Sequence, residues 1–253
     1  MLDPQAVIFS VLASMTTSLG AALVFLVKGT SHRTRDALVG FSAGLMLSVT
    51  ALNLLPKALG PNQQNLLQVI IGIALGALAL FAADTYLPHI HGFLVPDKPL
   101  TKGMKTALML VAALVIHNFP EGFATGTAYA GGVTVFGNTV ALGIALQNIP
   151  EGFLVSVPLK SQGYSTRGSF IAGALSGFVE PICAIIALVV VGLFQMLLPY
   201  ALAVAGGAML YVIFDEMVPE SHSHGFERAA TASFMTGFLL MTILNYVAAV
   251  IFR

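Results

Sequence analysis

The sequence predicts an all-α, polytopic membrane protein of eight transmembrane helices, and three observations carry that prediction. The 253 residues are 57% hydrophobic and only 9% charged, with a mean hydropathy of +0.90. A water-soluble domain carries roughly a quarter of its residues as charges, so this chain lacks the means to cover a wetted surface. Nearly every window of about 20 residues is apolar enough to cross the hydrocarbon of a bilayer. The alternation of a membrane β-barrel is absent, which leaves helices as the spanning element. The third observation is the placement of the basic residues, taken up after the spans.

Apolar spans fall at 6–27, 37–59, 66–87, 104–130, 137–158, 168–196, 199–220 and 229–252. Each is near the length a tilted helix needs. The first follows Met-Leu-Asp-Pro-Gln, with no basic segment ahead of it, and reads as a retained helix rather than a cleaved signal. The fourth, fifth and sixth each hold a Pro beside a Glu, which predicts broken helices there. Leu198-Pro199 sets a tight boundary between the sixth and seventh, and the longest connector runs from about Pro88 to Gly103. No separate soluble domain is visible, so residues 1–253 read as one transmembrane unit.

Alternating spans put Lys28, Arg33, Arg35, Lys98, Lys102, Lys105, Lys160, Arg167 and Arg228 on one side, leaving only Lys57 and Arg253 of the eleven Lys and Arg on the other. The positive-inside rule then predicts a multi-pass protein of the cytoplasmic (inner) membrane with both termini outside. Zero formal net charge argues against a nucleic-acid partner. A lone cysteine, Cys183, excludes an internal disulfide and any multi-cysteine metal cage.

Chemistry concentrates in a repeated motif. The fourth span contains His117-Asn118-Phe119-Pro120-Glu121-Gly122 and the fifth Gln147-Asn148-Ile149-Pro150-Glu151-Gly152. An ionisable side chain in the middle of a span is expensive and needs a partner or a wet cavity. His117 and Glu121 share a helix face, as do Gln147 and Glu151, being four residues apart. Pro120 cannot bond the carbonyl of Ile116, nor Pro150 that of Leu146, so both helices are expected to break. Broken helices at membrane depth mark transporter binding sites. Kinking and amide-mediated packing would explain one such motif, but not two glutamates in matching positions. Glu180-Pro181 in the sixth span adds a third carboxylate. Three carboxylates on one cavity repel unless protonated or neutralised by cations, and no mid-span Lys or Arg is present. Carboxylate, imidazole and amide donors suit Zn²⁺, Fe²⁺, Mn²⁺ or Cd²⁺, which makes a divalent metal ion the expected cargo with no organic cofactor.

The paired His-Asn-x-Pro-Glu-Gly and Gln-Asn-x-Pro-Glu-Gly motifs resemble the signature of the ZIP (Zrt/Irt-like protein) metal transporters. The span count and outside termini agree with that family, and the compact length without a His-rich loop resembles its prokaryotic GufA-like branch. The resemblance implies a midplane metal site formed by His117, Asn118, Glu121, Gln147, Asn148, Glu151 and Glu180, able to hold two ions. Some relatives carry Asp at the position of Asn148. It further implies zinc uptake toward the cytoplasm, a homodimer, and a four-helix transport bundle moving against a scaffold.

Two further clusters end the third and seventh spans. Asp84, His89 and His91 lie in one, and Asp215, Glu216, His222 and His224 in the other, all on the side assigned to the cytoplasm. Imidazole and carboxylate together form a candidate exit path for metal. A metal-selective channel would use the same ligands as a carrier. An intramembrane metalloenzyme is disfavoured because no His-Glu-x-x-His helix is present, so the chain reads as a transporter and not an enzyme.

Overall fold

The computed structural model describes residues 3–94 and 116–251, with the backbone alone for 87–94. The described chain is helical throughout its spans: α1 (Pro4–Phe25), α2 (His32–Leu59), α3 (Leu66–Leu94), α4 (seen over 116–128), α5 (Val135–Ser161), α6 (Thr166–Leu193), α7 (Gln195–Ser221) and α8 (Glu227–Ile251). Seven of these are long and apolar enough to cross a membrane; the first part of the expected fourth span lies outside the described residues. Large apolar side chains stand exposed along α3 and α8, among them Leu67, Ile70, Leu75, Leu78, Leu239, Ile243 and Val250. Such a surface is untenable in water and normal in lipid. The protein is a polytopic membrane protein.

Local chemistry starts the helices where the sequence changes character. Asp3 caps α1, its Oδ1 accepting from the amide of Gln5 at 2.9 Å, with Pro4 in the first turn. Ser31, Thr134 and Ser165 cap α2, α5 and α6 in the same way, accepting from Thr34, Gly137 and Gly168. The side chain of Lys160, at the end of α5, donates to the carbonyls of Val24 and Val27 at 2.8 and 3.1 Å, which satisfies the last turn of α1.

The expected breaks in the fourth and fifth spans are not observed. The helix runs unbroken through Pro120 and through Pro150 and Pro158. Each proline deletes one intrahelical bond, and close packing on neighbouring helices holds the rod through the gap. Of the fourth, fifth and sixth spans only the sixth is interrupted among the described residues, at Gly177–Phe178 just ahead of Glu180, where both residues keep helical dihedrals. Departures of another kind occur in α2 and α7. Thr50–Leu54 and Ile213–Met217 are π-turns, each ending two residues before a proline, Pro56 and Pro219. The amides of Leu55 and Val218 reach back five residues, to the carbonyls of Thr50 and Ile213. A widened turn takes up the strain of a following proline ring.

Glycines bring the helices together in pairs. Gly40, Gly44 and Gly237 bring α2 and α8 together, Gly72, Gly76 and Gly207 α3 and α7, Gly122 and Gly126 α4 and α6, Gly20 and Gly152 α1 and α5. At nearly all of these positions an added Cβ would run into main-chain atoms of the partner, as at Gly44, where it would stand 2.9 Å from the amide nitrogen of Phe238. In lipid, where hydrophobicity does not pull helices together, small residues gain contact by letting backbones approach. Gly131, by contrast, has open space around it. Gly44→Val is therefore expected to destabilise the folded state by about 1–3 kcal/mol. Thermal unfolding in detergent should show a clear drop for that variant and none for Gly131→Val.

Candidate metal site

α4 presents His117, Asn118 and Glu121, α5 presents Gln147, Asn148 and Glu151, and the first turn after the α6 interruption presents Glu180. Asn118, Glu121, Gln147, Asn148, Glu151 and Glu180 are all buried, and none is more than 8% exposed. The glycines of the two motifs set this spacing. Gly122 lies against the backbone of Glu180, where an added Cβ would be 2.7 Å from its Cα; Gly152 lies against Thr17 and Ala21 of α1. Asn118 fixes α4 to α6 by donating its Nδ2 to the carbonyl of Ser176 at 2.8 Å. Ser42 of α2 donates to the carbonyl of Gln147 at 3.0 Å.

Both carboxylate oxygens of Glu121 and of Glu151, the Oδ1 atoms of Asn118 and Asn148, and both polar atoms of Gln147 are buried without a hydrogen-bond partner. Buried polar atoms are rarely left unpaired, so a set this dense calls for water or a ligand to complete the bonding. Glu121, Glu151 and Glu180 stand within Coulomb range of one another. As they stand, no three His, Cys, Asp or Glu side chains among the described residues form a group that could hold a metal ion. Carboxylates without a cation between them repel, and a bound cation draws such groups inward. The donor set, hard oxygen with one imidazole, fits a divalent transition metal.

A cavity of about 520 Å³ leads from His117 and Glu151 past Met46, Asp215 and Glu216 to Arg35, Glu220 and Ser223. It opens at the end of the bundle that carries Arg35, Lys160, Arg167 and Arg228, here called the basic end. Glu216 Oε2 lies 2.5 Å from His117 Nε2, so the seventh helix reaches the motif directly. Arg35 and Glu220 pair across the mouth at 2.5 Å. Met46, Val49, Val140 and Ile144 are buried in one apolar cluster.

Residues 96–245 match the family model described as ZIP Zinc transporter. Over 244 residues the chain is 38% identical to the zinc transporter GufA of Myxococcus xanthus, covering 93% of this chain and 96% of that protein. The chain belongs to the ZIP family. It is also 32% identical to the zinc transporter ZIPB of Bordetella bronchiseptica, over 90% of this chain and 76% of that one. Human zinc transporter ZIP11 is 28% identical, over 90% and 93% of the two chains.

Within this ZIP chain the expected exit-path residues are placed unequally. Asp215 and Glu216 line the cavity. Asp84 stands within Coulomb range of both and of His117. The side chains of His89 and His91 lie outside the described residues. His222 is absorbed at the end of α7, its Nδ1 2.9 Å from the Val218 carbonyl and its Nε2 3.2 Å from Thr231 Oγ1. His224 Nδ1 sits 2.7 Å from Asp36 Oδ1, and its ring stacks on His32 with centroids 4.5 Å apart.

Sequence reasoning missed three residues around the site. Thr17 bonds Glu180, Ser42 bonds the Gln147 carbonyl, and Asp36 is fully buried against His224. Asp36 directly follows Arg33-Thr34-Arg35, and nothing in the sequence around it signals its burial. Arg35 and Glu220 are 32% and 42% exposed, so their pairing is worth about 0–1 kcal/mol. Breaking the Asp36–His224 contact by Asp36→Ala is expected to cost about 1.5–3 kcal/mol. Melting curves of Asp36→Ala and Arg35→Ala side by side will show whether the buried pair dominates.

Proposed function

We propose that this ZIP protein carries divalent transition metal ions, zinc first with Fe²⁺, Mn²⁺ and Cd²⁺ as competitors, across the cytoplasmic (inner) membrane into the cytoplasm. The observation that carries the reading is the set of unpartnered buried oxygens on Glu121, Glu151, Asn118, Gln147 and Asn148, beside a cavity that Glu151 and His117 line. The zinc transporters it resembles support the choice of cargo. In this reading both termini lie outside, residues 1–253 form one transport unit at home in the bilayer, and two copies associate as a homodimer. The basic end faces the cytoplasm, in keeping with the positive-inside rule.

In the mechanism, the metal reaches the midplane from outside, and Glu121 and Glu151 give up any protons they carry as they close on it. His117 and the amide oxygens complete the coordination. Glu216, already beside His117, receives the ion on its way out, and Asp215 and Asp84 take it down the cavity. The two sides then exchange access when α1, α4, α5 and α6 move against α2, α3, α7 and α8.

Proteoliposomes loaded with a metal-sensitive dye test this. Zn²⁺ uptake should fall to the level of protein-free vesicles in Glu121→Ala and in Glu151→Ala, and uptake unchanged by either would sink the site. Glu216→Gln should lower the maximal rate several-fold with little change in the half-saturating Zn²⁺ concentration. A competition series with Fe²⁺, Mn²⁺ and Cd²⁺ ranks the cargo, and an imposed pH gradient reads proton coupling.

A further inference from the structure

The basic end of the bundle carries a second group of polar side chains, one that the transport mechanism above does not use. His32 stands exposed in the first turn of α2, one turn ahead of Asp36. His224 lies in the short turn between α7 and α8, where the next residue, Gly225, adopts a φ of 86°. The rings of His32 and His224 stack with centroids 4.5 Å apart and planes 23° from parallel. Asp36 is fully buried against His224.

Hydrogen bonding fixes the tautomer of His224. Its Nδ1 is 2.7 Å from Asp36 Oδ1 and 2.9 Å from Ser223 Oγ. The Ser223 hydroxyl donates to the Glu220 carbonyl at 2.8 Å, and an ionised carboxylate only accepts. Nδ1 must therefore carry the proton, which leaves Nε2 as the nitrogen with a lone pair. Metal-binding histidines are commonly held in this way, by a carboxylate on the nitrogen that does not ligate.

The electrostatics also call for a cation. Among the described residues no lysine or arginine pairs with Asp36, and its Oδ2 is buried without a partner. Arg35, the neighbouring cation, is taken by Glu220. A buried carboxylate in this state favours positive charge close by, and a metal ion on Nε2 supplies it through the ring. The His224 side chain is 22% exposed, so an ion can reach it from water. The ring spacing suits two ligands of one ion: with Zn–N bonds of about 2.0–2.1 Å, two imidazoles in a tetrahedral shell set their centres about 5 Å apart.

We propose that His32 and His224 form a second metal site, separate from the midplane, that holds a divalent transition-metal ion at the basic end. The imidazoles supply two nitrogens and water completes the shell, while Asp36 orients His224 without touching the ion. His224 adjoins Ser223 at the wall of the cavity, so the choice of the cargo as the ion rests on the transport reading above.

Titration calorimetry with Zn²⁺ on purified full-length protein in detergent tests the site. The parent is the double variant Glu121→Ala/Glu151→Ala, in which the midplane no longer competes. Adding His32→Ala or His224→Ala should remove one Zn²⁺ per chain, and adding Asp36→Asn should raise the Kd of that ion about 10–100-fold. His32 is exposed, so its variant should melt close to the parent, and zinc lost there reads the site rather than the fold. An unchanged zinc count in His32→Ala or in His224→Ala overturns the proposal, even where His224→Ala melts lower, because the Asp36–His224 pair then serves the fold alone. A Kd unmoved by Asp36→Asn overturns the orienting role. A parent that binds as many Zn²⁺ as the wild type instead overturns the midplane transport site, and the His32→Ala comparison still decides this one.

Discussion

Glu121, Glu151 and Glu180 are buried together with Asn118, Gln147 and Asn148, in helices whose outer faces meet lipid, and among the described residues no lysine or arginine is buried with them. Hydrocarbon offers no water to such groups, so each polar atom must find a partner inside the bundle or wait for a ligand. Much of the architecture follows from that demand. The motif glycines exist to bring α6 and α1 close enough for Asn118, Asn148 and Thr17 to reach their acceptors. What those bonds leave over is concentrated on one spot between α4 and α5.

The helix contacts are of two kinds. Within the pairs α2–α8, α3–α7, α4–α6 and α1–α5, glycine meets main chain, and the fit leaves no room for adjustment. Where α5 meets α2 and α8 the contact changes character: Gly143 lies against the side-chain ends of Val49 and Met241. Side chains can change rotamer and main chain cannot, so the seam between the two halves of the bundle is softer than either half. Two polar contacts among the described residues cross between the halves at the level of the site, Ser42 to the carbonyl of Gln147 and His117 to Glu216.

The spans were legible because a bilayer imposes a fixed length and a nearly uniform apolar composition. Glu121 and Glu151 stood out because an ionisable side chain in mid-span is costly, and the structure buries both. The prolines were misread. Pro120 and Pro150 sit in unbroken helix, while Pro56 and Pro219, which carried no ionisable neighbour in a repeated motif to draw attention, follow the π-turns. Sequence gives the missing N–H but not whether neighbouring helices hold the rod straight. Thr17 was invisible for a related reason. A hydroxyl inside an apolar span most often bonds its own preceding turn, as Ser10 and Ser14 do, and only the approach of α6 gives Thr17 another acceptor.

A π-turn is an α-helix with one residue too many, so α2 and α7 each hold a spare residue at the same distance from a proline. Each residue turns an α-helix by about 100°. Deleting one residue from Thr50–Leu54 would restore ordinary helix and swing everything beyond it by that angle, taking Lys57 off the ring of Phe136, over which it now sits at 5.4 Å. The same deletion in Ile213–Met217 would rotate Pro219 and Glu220 away from Arg35. The spare residues thus set the facing of both helix ends, and they make these two segments the places where a single-codon loss would re-aim a helix without shortening its span appreciably.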